Sequence, residues 1–261
     1  MQRFSRPRLI DNQDLQYRAF LKQIMLQKEN QRATRPPSNR TLFGYEAESA
    51  IRDALAAQLP LSERRIVEYL EHRGRSAIKK YRELDAVHFA DAKRVYVFEV
   101  KASSRASSLF RAERQLRETQ AILKGLFAHV HIAIVLVDTG IPDAAMVMAI
   151  MAAPDAPHLP PLTIADVLAA RSDITAADRA APLAPDEQRI PLFTYSVNDI
   201  IALAGVENLH LSWDEDTFET DAAEDESGDA SDTSSPTYTT ADDDEGDDDN
   251  PLAAALRKAL G

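Results

Sequence analysis

Asp85, Glu99 and Lys101 are the residues whose types and spacing point most directly to chemistry. They lie in residues 81–101, YRELDAVHFADAKRVYVFEVK, which predict two apolar strands joined by a tight polar turn. Because residues two apart share one face of a strand, Glu99 and Lys101 project together. Carboxylate oxygens are ligands that hard divalent cations prefer, so this segment predicts a metal site.

The pairing of the two predicted strands places like charges opposite each other. A hairpin centred near Ala92 pairs residues whose numbers sum to 184, which sets Asp85 opposite Glu99 and Glu83 opposite Lys101. Two like charges directly across a ladder are unfavourable, and a divalent cation between them would relieve the repulsion. We therefore expect Mg²⁺ or Mn²⁺ at this position.

The same residues carry a resemblance to a known family. Asp85, followed by Glu99, Val100 and Lys101 at the end of an apolar strand, resembles the signature of the PD-(D/E)XK nuclease superfamily, the fold of many restriction endonucleases and Holliday-junction resolvases. A predicted helix carrying GYEAESAIRDAL precedes them, as in that family. Leu84 stands where the family name has proline.

The resemblance spans roughly residues 40–140 and implies a fold and a site. The fold is a restriction-endonuclease-like α/β core, in which helix, strand, strand, helix and strand build a mixed sheet flanked by helices. The resemblance implies that Asp85, Glu99 and the carbonyl of Val100 hold the metal. It implies that Lys101 orients or deprotonates the attacking water.

A helix predicted over residues 44–59 offers a further carboxylate. Glu48 lies on the side of Ile51 and Leu55, which face the core, and a carboxylate there needs a partner. In the family a glutamate of the first helix approaches the metal, so the resemblance implies that Glu48 supports the metal shell. Glu46 is the reserve, since it lies about 200° further round the helix.

The resemblance also implies contacts to the substrate from the next helix, predicted over residues 108–127. In the family this helix brings a glutamine or a basic residue toward the phosphate backbone. Gln115 and Arg111, four apart on one face and expected to point outward, are the matching positions. An ordinary solvated helix surface is the alternative for both.

The chain divides into four predicted regions. They are a basic N-terminal helical arm (1–40), a nuclease-like domain (41–212, with its core at 41–140 and a peripheral region at 141–212), a disordered acidic linker (213–250) and a C-terminal amphipathic helix (251–261). The other predicted elements are a helix at 11–31, a short helix and loop at 62–80, a central strand at 129–138, a strand or helix at 144–151, a helix at 163–171 capped by Thr163, and an edge strand with a helix at 189–205 capped by Ser196 or Asn198.

Charge is distributed unevenly along the chain. Residues 214–249 hold seventeen Asp or Glu and no Lys or Arg, whereas residues 1–40 hold nine Lys or Arg against three acids. A basic body suits contact with phosphates, although a solvated surface with a solubilising tail fits equally well. The expected partner is nucleic acid, with DNA favoured. A protein partner binding 251–261 or the arm stays open, as does an oligomer.

Composition removes several other functions. The chain has no cysteine, which excludes disulfides, thiolate zinc sites and cysteine nucleophiles. Glycine-rich phosphate loops and a signal peptide are missing, and no apolar run reaches membrane-spanning length, so we expect a cytoplasmic protein that does not bind membranes. His129 and His131 share a strand face, and a structural role is favoured for both over metal ligation. Two functions remain: a metal-dependent nuclease that hydrolyses phosphodiester bonds, and a non-catalytic binding or assembly module that keeps the nuclease-like fold.

Overall fold

The computed structural model describes residues 3–31, 38–74, 76–180, 183, 186–212 and 237–240. These residues form an α/β structure of two β-sheets flanked by helices. The helices are α1 (Leu15–Gln31), α2 (Asn39–Ala56), α3 (Ser108–Leu123), α4 (Ala144–Met151), α5 (Ile164–Ala170) and α6 (Val197–Ala204), with a short 3-10 helix at Val206–Asn208. The strands are β1 (Phe4–Ile10), β2 (Ile66–Arg73), β3 (Ser76–Glu83), β4 (Ala86–Phe89), β5 (Arg94–Ser103), β6 (His129–Asp138), β7 (Ile174–Ala176), β8 (Ile190–Ser196) and β9 (Thr237–Thr240).

The two sheets differ in strand direction. The first has the order β1-β2-β3-β9 and is antiparallel. The second has the order β4-β5-β6-β8-β7, in which β4 runs antiparallel to β5 and the other neighbours are parallel. The parallel strands need crossover connections, and α3 supplies the crossover from β5 to β6.

Apolar side chains cover both faces of the mixed sheet. On one face Val95 and Val97 of β5 pack with α3 and with strands of the first sheet. On the other face Phe98 and Val100 pack with α2 and α6. This alternation is the one predicted for β5, and it places Glu99 and Lys101 on the α3 face.

The register of the predicted hairpin is confirmed where the strands pair. Ala86 pairs with Phe98 and Val87 with Val97, so the numbers of paired residues sum to 184. The predicted pair of Glu83 with Lys101 does not form, because the chain bends at residues 84–85 and Glu83 belongs to β3. The strand predicted at 129–138 is confirmed as β6, the middle strand of the mixed sheet.

Several predicted elements are wrong or incomplete. Most of residues 62–80 belong to the hairpin of β2 and β3 instead of a helix and loop. Gly74, at φ +64°, lets the chain turn back after Arg73, which pairs with Ser76. The strand predicted at the edge, β8, lies between β6 and β7. It belongs to the region expected to be peripheral, which therefore completes the main sheet.

The N-terminal region is more than the predicted helical arm. It begins with β1, which pairs with β2, and its helix packs Tyr17 and Phe20 against Ile66 and Tyr81 of the first sheet. The predicted helix 251–261 and most of the predicted linker lie outside the described residues. Within that linker β9 pairs with β3, where no strand was expected.

The helix at 163–171 with its Thr163 cap is confirmed, as is the strand followed by a short helix at 189–205, whose cap is Ser196 and not Asn198. Thr163 starts α5 and Ser196 starts α6, each with a reciprocal hydrogen bond to an aspartate three residues later. The segment at 144–151, left open between strand and helix, is the helix α4. None of the described helices has the length and hydropathy that crossing a membrane would require.

Candidate active site

Asp85 lies in the bend between β3 and β4, one residue before β4 begins. Its carboxylate Oδ2 accepts a hydrogen bond from the backbone nitrogen of Val100, at 2.6 Å. In a strand the N–H and C=O of one residue point to the same neighbour, so the carbonyl of Val100 lies on the Asp85 side of β5. The bend therefore brings the Asp85 carboxylate and the Val100 peptide together.

Two arginines hold this bend in place. Arg52 of α2 donates from Nε to the carbonyl of Asp85 at 3.0 Å, and Arg65 donates from Nη1 to the carbonyl of Leu84 at 3.2 Å. Both carbonyls are left outside the ladder by the bend, and buried or half-buried carbonyls need donors. The arginines therefore fix the position of the Asp85 backbone, and with it the carboxylate.

Glu99 and Lys101 form an ion pair on β5. Lys101 Nζ lies 2.7 Å from Glu99 Oε1, and the side chain of Glu99 is 5% exposed while that of Lys101 is 14% exposed. Their spacing of two residues puts both on the α3 face, where the lysine can reach the glutamate. A buried carboxylate is tolerable here because the ammonium compensates its charge.

Like charges surround Asp85. Burial raises the pKa of Asp85 well above its ordinary value, and the charges of Glu99 and Glu48 raise it further. The charge of Lys101 and the hydrogen bond from Val100 oppose this rise without cancelling it. A cation between Asp85 and Glu99 would remove the conflict.

Glu48 approaches the same point from α2, as the helical spacing predicted. Its carboxylate is paired with Arg52, four residues later on the helix. Burial raises the pKa of Glu48, and the charges of Arg52 and Arg65 lower it only in part. Arg52 therefore links the carboxylate of Glu48 to the backbone carbonyl of Asp85.

The reserve residue Glu46 serves elsewhere. It accepts hydrogen bonds from the backbone nitrogen and from the ring of His210, at the opposite side of α2. It fastens the segment after the 3-10 helix to α2. The 200° separation between positions 46 and 48 thus gives the two glutamates different neighbours.

The two positions predicted to contact phosphate separate in the structure. Arg111 is half-buried on α3 and lines a large cleft. Gln115 was expected to point outward, and that prediction is wrong: it is 6% exposed. Its turn of α3 packs on β3, where Arg82 donates to the Gln115 carbonyl and to Thr119.

The residues present suit a hard divalent cation with two protein carboxylates. Mg²⁺ usually keeps several waters and takes one or two carboxylates, and Asp85, Glu99 and the Val100 carbonyl offer that set. Among the described residues no three His, Cys, Asp or Glu side chains lie close enough together to hold an ion. Glu48 therefore does not complete a three-carboxylate cluster in this arrangement.

The sequence analysis missed the two arginines that hold the bend, Arg52 and Arg65. Their roles depend on the bend at residues 84–85, which the hairpin pattern does not contain. The spacing of Glu48 and Arg52 was nevertheless visible, since residues four apart on a helix pair readily.

The two histidines considered as ligands have structural surroundings. His129 pairs with Glu187 at 2.9 Å, whereas His131 is buried and stacks on Tyr96.

Comparison of the chain with protein-family models, curated proteins and solved structures found no match.

Proposed function

We propose that this protein is a metal-dependent nuclease with a PD-(D/E)XK site on a restriction-endonuclease-like core. One observation carries the proposal: the Asp85 carboxylate binds the Val100 peptide at 2.6 Å, beside the buried ion pair of Glu99 and Lys101. The order α2, β4, β5, α3, β6 supports it, since it follows the expected helix, strand, strand, helix, strand. The β2–β3 hairpin is inserted after the first helix.

Each residue of the site has a role in the proposed reaction. Asp85, Glu99 and the Val100 carbonyl would hold Mg²⁺ or Mn²⁺. Bound there, the ion would lower the pKa of a water and neutralise charge on the phosphate. Lys101 keeps some exposure. As an ammonium it can orient the water whose oxygen attacks phosphorus, and only in its neutral form can it accept the proton of that water. The ester P–O bond opposite that water breaks, and the leaving oxygen takes up a proton.

The experiment is cleavage of DNA and RNA by the purified protein with Mg²⁺ or Mn²⁺, and again with EDTA. We expect cleavage only with metal. We expect Asp85→Ala, Glu99→Ala and Lys101→Ala each to abolish it, and for Lys101 the loss should be on the order of 10²- to 10⁴-fold, the usual range for a positioned proton-transfer group.

The chain supplies its own matched control. Asp91 and Lys93 form the other acidic-x-Lys triplet, and both are exposed in the turn before β5. Asp91→Ala and Lys93→Ala should cleave like the parent, because neither side chain lies beside Asp85. If the triple variant of Asp85, Glu99 and Lys101 cleaves like the parent, the activity comes from another site or from a contaminant.

A second candidate is a non-catalytic module that keeps the fold and binds nucleic acid or protein. It is favoured by the internal pairing of the site, since Arg52 holds Glu48 and Lys101 holds Glu99. For this candidate, metal should neither support cleavage nor raise the melting temperature. Nucleic-acid binding measured in EDTA would then be the remaining activity.

A further inference from the structure

A cleft of about 1240 Å³ crosses the outer face of α3. Its walls come from the start of β1, from the segment 103–108 that connects β5 to α3, and from Arg40 and Arg171. Seven arginines and two glutamates line it, and no lysine does. Arginine matches phosphate oxygens with two parallel hydrogen bonds, which a lysine cannot do.

Three of the seven arginines are tied to the protein. Arg3 pairs with Glu71 and Glu118, and Arg171 pairs with Glu113 while its guanidinium lies over Phe110. Arg117 pairs with Asp173 and donates to backbone carbonyls at residues 187 and 188. These contacts build the walls of the cleft and hold α3 against its neighbours.

Two other arginines of the cleft are turned to solvent. Arg105 and Arg114 are exposed, and neither forms an ion pair within the described part of the chain. The exposed guanidinium groups of Arg105 and Arg114, held in a concave surface, attract anions. Arg40 is half-buried and donates to the Ser104 hydroxyl at 2.7 Å, which places its guanidinium beside the same segment.

The dimensions of the cleft fit a polymer better than a small phosphorylated molecule. Its lining runs along α3 from Ser108 to Ala121, which is about 20 Å at the helical rise of 1.5 Å per residue. One strand of a nucleic-acid duplex carries a phosphate for roughly every 3.4 Å of its axis, so several successive phosphates fit this length. The volume also exceeds the roughly 300 to 1000 Å³ of ordinary small-molecule sites.

The cleft reaches the end of the strand that carries Glu99 and Lys101. Ser103 lines the cleft and ends β5. Residues 99, 101 and 103 share one face of that strand, and Ser103 is about 7 Å along the strand from Lys101. A strand of nucleic acid lying over α3 would therefore reach the end of β5 at Ser103, two residues from Lys101.

We infer that this arginine cleft binds the phosphate backbone of a nucleic-acid strand. The direction of the strand toward Lys101 rests on the proposed nuclease function, whereas the binding itself does not. The cleft also gives Arg111 a place in a binding surface, together with positions that the sequence did not single out.

Binding in EDTA tests the inference without requiring cleavage. Fluorescein-labelled single-stranded and duplex DNA of about 30 nucleotides would be titrated with the full chain by anisotropy, over a range of NaCl concentrations. In the variant Arg105→Ala/Arg114→Ala, we expect affinity at 0.1 M salt to fall on the order of tenfold. The salt slope should become shallower by about 1.4 for single strands or 1.8 for duplex, as expected for two lost phosphate contacts.

The matched control removes the same charge outside the cleft. Arg18 and Arg64 are exposed and do not line the cleft, so Arg18→Ala/Arg64→Ala changes the net charge equally. We expect this pair to bind nearly like the parent. Equal losses of affinity in both double variants would show that general charge attraction causes the effect, and would overturn the inference that the cleft binds DNA. Parent-like affinity of Arg105→Ala/Arg114→Ala would overturn it too.

The outcomes for binding and cleavage are separable. If the parent binds through the cleft and never cleaves with metal, the inference stands and the proposed nuclease fails. If the parent cleaves and the cleft pair both binds and cleaves normally, the nuclease stands and the inference fails.

Discussion

At the scale of single residues, the site brings like-charged carboxylates together, which costs stability. A metal-binding function would explain that cost. Asp85 receives a hydrogen bond from Val100, yet burial and the charges of Glu99 and Glu48 disfavour its ionised form. A chain selected only for stability gains nothing from such a group. Functional sites are where side chains of this kind are expected.

Asp85→Asn should therefore stabilise the protein in metal-free buffer at neutral pH. The folded pKa of Asp85 lies well above its ordinary value of 3.8, so the unfolded chain releases this proton first as the pH rises. The resulting loss in the free energy of unfolding is absent below about pH 4 and grows as the pH rises above it. Asparagine keeps the acceptor for Val100 and has no charge.

Thermal unfolding in EDTA at pH 4 and pH 7 measures this effect. Each kcal/mol gained should raise the melting temperature by about 2 to 4 °C for a chain of this size. The gain should be present at pH 7 and vanish near pH 4. A variant that melts below the parent at pH 7 would contradict the electrostatic conflict at Asp85.

The two glutamates of α2 make a second residue-scale prediction. Glu48→Gln should reduce metal-dependent cleavage by on the order of tenfold or more, because Glu48 and Arg52 stand against the Asp85 bend. Glu46→Gln should leave cleavage near the parent level, since Glu46 contacts His210. Steady-state cleavage rates at saturating Mg²⁺ provide the measurement, and equal effects would remove Glu48 from the site.

Residue spacing predicted the register of the hairpin well and the surroundings of Gln115 poorly. Alternation along β5 and one hairpin register were enough to bring Asp85 to Glu99, because strand geometry leaves few choices. Gln115 was misplaced because the apolar stripe of α3 does not reveal that Arg82 of β3 docks beside it. Such a contact is set by tertiary packing, which helical periodicity does not contain.

At the scale of elements, a single buried carboxylate ties together the strands of the first sheet. Glu71 of β2 is 4% exposed and pairs with Arg73 on its own strand, with Lys80 of β3 and with Arg3 just before β1. Burial disfavours its charge, but the hydrogen bonds from Lys80 and Arg3, together with the charges of Lys80 and Arg73, outweigh burial and lower the pKa of Glu71 to about 2.

Glu71→Gln should destabilise the fold by roughly 2 to 3 kcal/mol at pH 7. The folded pKa is depressed from 4.5, so the stabilisation is fully present above pH 4.5 and is lost as the pH falls toward about 2. Urea unfolding at pH 7 and pH 3 would show the difference shrinking with acid. Glu63→Gln, at an exposed position, is the control and should be nearly neutral.

Elements were predictable where one pattern dominates a segment. The continuous apolar run of β6 and the capping boxes of α5 and α6 are local signals, and they located their elements closely. The β2–β3 hairpin was missed because its charged residues hide the alternation, although Gly74 marks the turn. The place of β8 inside the sheet depends on β7, a strand of three residues with almost no sequence signal.

At the scale of the whole molecule, opposite charges are concentrated in different parts of the chain. The arginine cleft lies on the body, and seventeen acids with no basic residue lie at 214–249. Those acids are tethered to the body, so their effective concentration near the cleft can reach roughly millimolar. They can therefore compete with nucleic acid for the same arginines.

Removal of residues 214–261 should tighten DNA binding at low salt. The gain should shrink as salt is raised, because interactions between exposed charges are screened beyond about 8 to 10 Å near physiological ionic strength. Anisotropy titrations in EDTA at 50 and 300 mM NaCl would compare the truncated chain with the parent. The truncated chain should also show a larger loss when Arg105 and Arg114 are replaced, since its cleft has no competing acids.

Truncation also removes β9, so a second variant must separate charge from structure. Replacing the acids of residues 242–249 with Asn or Gln keeps the length and keeps Thr237–Thr240 of β9. If charge is the cause, this variant should recover part of the gain in proportion to the seven acids removed from the seventeen. Tighter binding after truncation but not after neutralisation would assign the effect to β9 on the edge of β3. Unchanged binding in both would leave the acidic segment without a part in substrate access.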